Sequence, residues 1–423
     1  MFAKRALSMV MVAGVLLVGV QGAPIGTWFA ISSPYLPGDQ REASIAYNSQ
    51  RNEYLVVWWS DRAEGDEVWG QRVSRNGALV GAPIAIAQGF GAELRFPDVA
   101  YSEHSDEYLV VWEEIDATYW SIRARRVTSA GWLPGALITV ASGIVTDTYC
   151  TQPAVAFAST ADRYLVIYEY GNRYGWMQYG IAARAFTSDG SPEGAAFDVR
   201  PFGGGSVLEG LELAYNRARN EFLVTWSEVV SPSGTFGILG RRVKMAGGAG
   251  NLGDIFTIAD TSGRDDVCPT VGAIPLPAGT GQYLVAWRYM YSPSDGDIYA
   301  QRVAGDGVLM DTPIIVSNPT ADQSAPAVDG SESGRAYLVT WRHPSAPPFA
   351  FVGIRGRAVS TQGTLLGQEE GVAGVFGAAP AVAAGPVGDF LVAYDDLLLG
   401  ESERDIYGRL WGTRTYLPLA QRN

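Results

Sequence analysis

Imidazoles and thiols, the side chains most often recruited for nucleophilic and metal chemistry, are scarce in this chain: His104, His343, Cys150 and Cys268 are all it has. The two histidines fall in different repeats of the pattern set out below and on opposite edges of it, so a shared imidazole site is not expected. Each reads as a surface or packing residue. The sequence contains no Gly-x-Ser-x-Gly elbow, no phosphate-cradling glycine loop and no His/Cys cluster at metal-ligand spacing. No cofactor, metal or catalytic residue is therefore expected from motifs. Paired carboxylates able to cleave a glycosidic bond remain open, because folding rather than sequence spacing brings such pairs together.

Two other residue groups could do chemistry. Tyr119, Trp120, Tyr170, Tyr174, Trp176 and Tyr179 gather in two consecutive long loops. Exposed rings with polar handles stack on sugar rings or anchor a protein partner, and these six are the candidate ligand-binding residues. The bland alternative is that they pack on one another to stiffen the loops. Carboxylates cluster as Asp61, Glu64, Asp66 and Glu67, as Asp295 and Asp297, and as Glu401, Glu403 and Asp405. Calcium takes several oxygen ligands, but no EF-hand spacing occurs, and a solvated acidic surface is the expectation.

Stepping from these residues to the elements that hold them, the chain repeats itself seven times. Each repeat is a short strand ending in a small residue, an acidic turn, an apolar strand such as Glu53-Tyr54-Leu55-Val56-Val57-Trp58, a variable loop, a strand such as Val68-Trp69-Gly70-Gln71-Arg72-Val73, a glycine turn and a fourth strand. Named A to D, these give A positions at Ala46, Ala100, Ala156, Ala214, Gly272, Asp329 and Ala383, and B strands ending at Trp58, Trp112, Tyr168, Trp226, Trp287, Trp341 and Tyr394. Four short strands per repeat make an antiparallel blade, and B strands apolar throughout are covered on both faces by neighbouring blades. The expected fold is all-β: a seven-bladed β-propeller with four antiparallel strands per blade. Seven buried aromatics should form the belt between blades.

A ring must close, and Gly26-Thr27-Trp28-Phe29-Ala30-Ile31 matches the fourth-repeat D strand Gly253-Asp254-Ile255-Phe256-Thr257-Ile258. The seventh repeat has only A, B and C, so the N-terminal strand should complete the last blade and remove an open sheet edge. Arg72, Arg126, Arg242 and Arg302 recur on C strands wherever the B strand begins with Glu53, Glu107, Glu221 or Gln282, which predicts cross-strand pairs. In this topology the B-to-C and D-to-A loops share one rim. Their lengths differ from blade to blade, which marks that rim as the working face.

Lys4 and Arg5 followed by an apolar stretch from Met9 to Val20 read as a secretory signal with cleavage after Gly22. The expected organisation is a signal peptide over 1–22, the propeller over 23–415 and a tail over 416–423. No later segment is long and apolar enough to suggest membrane insertion. The formal net charge is −13, and loss of Lys4 and Arg5 takes it to −15, a surface that repels nucleic acid and anionic membranes. Export permits a disulfide between Cys150 and Cys268, but they belong to repeats two blades apart, and two unbonded thiols are expected.

At Asp297-Ile298-Tyr299-Ala300-Gln301-Arg302-Val303, with Asp306-Gly307 after it, and again at Asp405-Ile406-Tyr407-Gly408, the repeat resembles one found in exported bacterial proteins of mostly unassigned function. The tail Tyr416-Leu417-Pro418-Leu419 is similar to a short ending seen on some exported bacterial proteins. The resemblance implies a propeller that is secreted or at the cell surface. Taken together, these features predict a monomeric, non-enzymatic binding or scaffold module presenting its B-to-C rim to a glycan, surface polymer or extracellular protein. The alternative is a glycoside hydrolase or lyase using rim or channel carboxylates.

Overall fold

The computed structural model describes residues 21–32, 38–144, 148–172, 178–204, 209–230, 234–246, 249–276, 280–292, 294–344, 352–373, 377–397 and 403–414. These residues form seven four-stranded antiparallel sheets. In six of them the strands follow chain order from the channel outward, as in blade one: Gln40–Asn48, Glu53–Ser60, Glu67–Ser74 and Leu79–Gln88. Among the described residues no helix is long and apolar enough to cross a membrane.

The seventh sheet takes its outermost strand from the other end of the chain. Gln21–Ala30 pairs antiparallel with Asp405–Arg414, with Phe29 opposite Gly408 and Ala30 opposite Tyr407. The Ile31 amide donates to the Ile406 carbonyl at 2.8 Å, and the Trp28 ring meets Tyr407 edge-on at 5.3 Å. This is the closure expected from the displaced D strand. Gln21 and Gly22, which precede the expected cleavage point, already lie in the strand.

The apolar core is divided into seven clusters, each bridging two neighbouring blades. Ala46, Leu55 and Val57 of blade one pack against Val99, Val110 and Trp112 of blade two, and Ile31, Tyr54 and Trp58 pack against Leu391 and Ala393 at the closure. The reason lies in the B strands, whose central residues are buried in every blade and which in Glu53–Ser60 are buried throughout. Trp58, Trp112, Trp226, Trp287, Trp341 and Tyr394 are fully buried and Tyr168 nearly so. Burying each such side chain stabilises by roughly 1.5–3 kcal/mol. Further inward the chain must stay small: a Cβ on Gly272 would lie 2.9 Å from the Asp329 Cα.

Polar contacts fix the stagger between blades. The expected cross-strand pairs form, with Arg72 to Glu53 at 3.3 Å, Arg126 to Glu107 at 2.6 Å, Arg242 to Glu221 at 3.4 Å and Arg302 to the Gln282 amide oxygen at 3.3 Å. A second set was not anticipated. One residue earlier on the C strands, Arg125, Arg184, Arg357 and Arg409 reach into the preceding blade and donate to the D-strand carbonyls of Ile86, Val140, Val316 and Val372 at 2.9–3.1 Å. Arg241 does the same to Val199. Tyr164, Tyr283 and Tyr337 add hydroxyl bonds to the backbone carbonyls of Glu107, Glu221 and Gln282 one blade back.

Candidate functional site

The A strands line the central channel, and each carries a bulge at its outer end. Glu42, Phe96, Gln152, Gly210, Cys268, Ala325 and Ala379 all have φ between 40° and 65°, and at each the register with strand B slips. Proline follows in five blades, as Pro97, Pro153, Pro269, Pro326 and Pro380. Proline lacks an amide hydrogen and is tolerated in a strand mainly at an edge or bulge, so the sequence builds the irregularity. Left-handed backbone at a residue other than glycine costs about 1–3 kcal/mol. The bulges turn the following residues toward the lumen and leave a cavity of about 600 Å³ bounded by all seven A strands.

Because the seven blades share one frame, departures from equivalence stand out. Two residues past each bulge residue the ring reads Ser44, Asp98, Ala154, Glu212, Thr270, Ala327 and Ala381. Two of these are acids, and they flank blade three. Asp98 accepts from the Ser44 hydroxyl at 2.6 Å and the Val155 amide at 2.7 Å, so it is tied to the blades on either side. Glu212 projects into open lumen. Its carboxyl is set among the A strands that line the cavity. Poor solvation, and then the charge of Asp98, push its carboxyl up to about 8. Burial also raises Asp98, while the Ser44 hydroxyl and the Val155 and Val99 amides stabilise its anion. The pair therefore holds a proton near neutrality, with Glu212 as its favoured site and Asp98 as the better-supported carboxylate.

A second carboxylate pair sits above, between blades two and three. Glu113 and Glu169 each follow the B-strand aromatic and are 2% and 5% exposed. Glu113 accepts from the Thr151 hydroxyl and from the Gln152 amide at 3.3 Å; Glu169 accepts from the Tyr149 hydroxyl at 3.0 Å. Burial raises both, and the Glu113 charge helps to push Glu169 to about 7. At the same mouth Glu42, also raised by burial, accepts from the Trp59 indole at 2.9 Å.

The aromatic residues expected to bind a ligand divide into groups. Trp120 and Tyr179 both meet Tyr149, at centroid distances of 5.5 and 6.0 Å, forming a half-buried cluster over Glu169. Tyr170 stands apart, stacked on Phe202 at 5.7 Å with its hydroxyl on Asp198 at 2.8 Å. Tyr119 is 48% exposed. Tyr174 and Trp176 lie outside the described residues, as do Glu401 and the tail over 416–423. Tyr149, the hub of the cluster, and the carboxylates beneath it were missed from sequence. Comparing repeats at the position after the B-strand aromatic would have flagged Glu113 and Glu169.

The remaining candidates are structural. His104 contacts Asp162 of the next blade at 2.8 Å on the opposite rim, and His343 is half-buried in blade six. Cys150 and Cys268 are not joined to each other, and burial pushes the Cys150 thiol up to about 12. Among the described residues no group of three or more His, Cys, Asp or Glu is placed to hold a metal ion.

No protein-family model matches this chain. No curated protein sequence matches it either. Solved structures do resemble it. A protein of unknown function from Dyadobacter fermentans superposes with a TM-score of 0.53 at 11% identity, over 94% of this chain and 100% of that one. The polysaccharide lyase Uly1 gives 0.54 at 8% identity, over 93% and 100%. An alpha-L-arabinanase from Penicillium chrysogenum, solved with arabinobiose, gives 0.49 at 13% identity, over 92% and 97%. At such identities the first two likenesses establish a shared seven-bladed ring. The expectation of a non-enzymatic binding or scaffold module is corrected by these findings. A polysaccharide lyase is among the structures that share the fold, and the channel mouth carries paired carboxylates that motif reading could not detect.

Proposed function

We propose that this protein is a glycan-cleaving enzyme working at the channel mouth, with Glu212 as proton donor and Asp98 as the carboxylate opposite it. The observation that carries this reading is the lumen pair itself: two interacting acids facing a cavity of about 600 Å³, at ring positions where the other five blades have Ser, Ala or Thr. General acid catalysis of glycosidic cleavage needs a carboxyl still protonated near neutral pH beside one that is ionised, and environments that separate two such groups supply both. The half-buried rings of Trp120, Tyr149 and Tyr179 supply apolar faces above the mouth on which a sugar unit can stack. The polysaccharide lyase with the same ring fold supports the substrate class.

In the same reading the protein is exported and acts as a monomer, residues 1–22 serve as the signal, and the Asp-Ile-Tyr repeats belong to the exported bacterial type they resemble. The test is a screen of the purified protein against polysaccharides for release of new chain ends, repeated with Glu212→Gln and Asp98→Asn. Proton donors of this kind contribute typically 10²–10⁴-fold, so each variant should lose at least about a hundredfold in rate while melting like wild type. Full activity in both variants would remove the lumen pair from the chemistry.

A further inference from the structure

The walls of the channel narrow the substrate, an inference that rests on the reading of Glu212 and Asp98 as the cleaving pair. Among the described residues the cavity lining contains four carboxyl groups, from Glu42, Asp98, Glu212 and Asp329, and no Lys, Arg or His. Two arginines lie near the rim: the Arg95 charge reaches Glu42 and Glu113, but neither Arg95 nor Arg41 lines the cavity, and both are already paired. Arg41 pairs with Asp39 and lies over the Trp59 ring, and Arg95 pairs with Glu93 at 2.9 Å. A sugar acid or sulfate entering this lumen would meet those of the carboxyls that are ionised, with Glu212 holding its proton, and no cation in the described lining to offset them.

The same lining bears on reaction type. Eliminative cleavage of a uronate polymer removes the proton next to the sugar carboxylate and builds negative charge on that carboxylate, which calls for cations or strong donors at that point. The lumen has acids there. Hydrolysis through an oxocarbenium-like state develops positive charge instead, which nearby carboxylates stabilise.

We propose that the channel selects a glycan whose units at the cleavage point carry no acid group, an uncharged or amine-bearing sugar, and that it cleaves by adding water. The Glu212 proton passes to the glycosidic oxygen as its bond to the anomeric carbon breaks. A water oxygen bonds to that carbon, and the water proton goes to Asp98, from which it returns to Glu212 through solvent. One water is consumed, two chain ends form, and no double bond is made.

Two panels separate the possibilities: uncharged and amino-sugar polysaccharides, and uronate or sulfated polysaccharides, each with calcium and with chelator. New reducing ends and the ultraviolet absorbance of unsaturated uronate are read together, for wild type, Glu212→Gln and the conservative Glu212→Asp, with thermal melts of each. The expected result is release of reducing ends from the first panel without unsaturated product, lowered at least about a hundredfold in Glu212→Gln, and at least about tenfold lower kcat/KM on any acidic polymer. Cleavage of a uronate polymer that depends on Glu212, with or without calcium, would overturn the charge inference and leave the glycan-cleaving reading intact. Cleavage of neither panel, or cleavage indifferent to Glu212 in folded variants, would overturn both.

Discussion

Asp98 accepts a hydrogen bond from the Ser44 hydroxyl at 2.6 Å, and its other oxygen accepts the Val155 amide at 2.7 Å, so one carboxylate is fixed by three consecutive blades. Ser44 thereby positions the carboxylate whose charge acts on Glu212. A hydrogen bond to a charged group is worth about 1.5–3 kcal/mol. Replacing Ser44 with Ala removes a donor that favours the anion, so Asp98 should titrate at higher pH. The acid limb of the kcat/KM profile then moves to higher pH, with little change on the alkaline side. An unshifted acid limb would mean that Asp98 does not act as the ionised partner.

Glu169 makes a prediction about stability. Burial and Glu113 raise its carboxyl from 4.5 to about 7, so the folded protein binds that proton more tightly than the unfolded chain does. The stabilisation is complete below the unfolded value and is lost as pH rises through about 7. Glu169→Gln removes this loss. Between pH about 4.5 and about 8 its unfolding free energy relative to wild type should move in the variant's favour by on the order of 3 kcal/mol. Parallel curves from denaturant titrations at the two pH values would contradict the burial argument.

Closure of the ring is testable at Ile31, which is fully buried between blades seven and one. Ile31→Ala should destabilise by about 2–5 kcal/mol. Deleting 23–30 should do more, exposing the unpaired edge of Asp405–Arg414 to other chains. Light scattering should then report association that the point variant does not show.

For the aromatic cluster the expected signature is in binding. Trp120→Ala removes one face of the Trp120–Tyr149–Tyr179 group, and loss of a stacking ring worth roughly 1–2 kcal/mol should raise KM about tenfold with kcat within about twofold. The Trp120 side chain also donates to Glu113, and a fall in kcat at constant KM would place Trp120 in the chemistry through that contact instead.

The architecture was legible because repetition supplies its own comparison. Arg72 with Glu53 and Arg126 with Glu107 recur as residue pairs, and each pair forms. Arg125 and Arg184 recur as well, but their partners are the carbonyls of Ile86 and Val140, and a backbone acceptor leaves no mark in residue type. The site was less legible for a related reason. Trp120 and Tyr179 stood out as aromatics expected in loops, although the structure places both in strands, Tyr119–Thr128 and Gln178–Thr187; Tyr149 becomes their hub only when the blades are stacked. Asp98 and Glu212 come from blades two and four, with nothing in local spacing to join them. Seeking motifs, where catalytic carboxylates need none, is what favoured a binding module over an enzyme.

The most direct measurement is a crystal structure of Glu212→Gln soaked with an uncharged oligosaccharide that the wild type cleaves. The account predicts a sugar in the channel mouth with its glycosidic oxygen within hydrogen-bonding distance of the residue 212 side chain and Asp98 on the other side of the same bond. Sugar bound only on the opposite rim, or only at the outer loops away from the lumen, would contradict it.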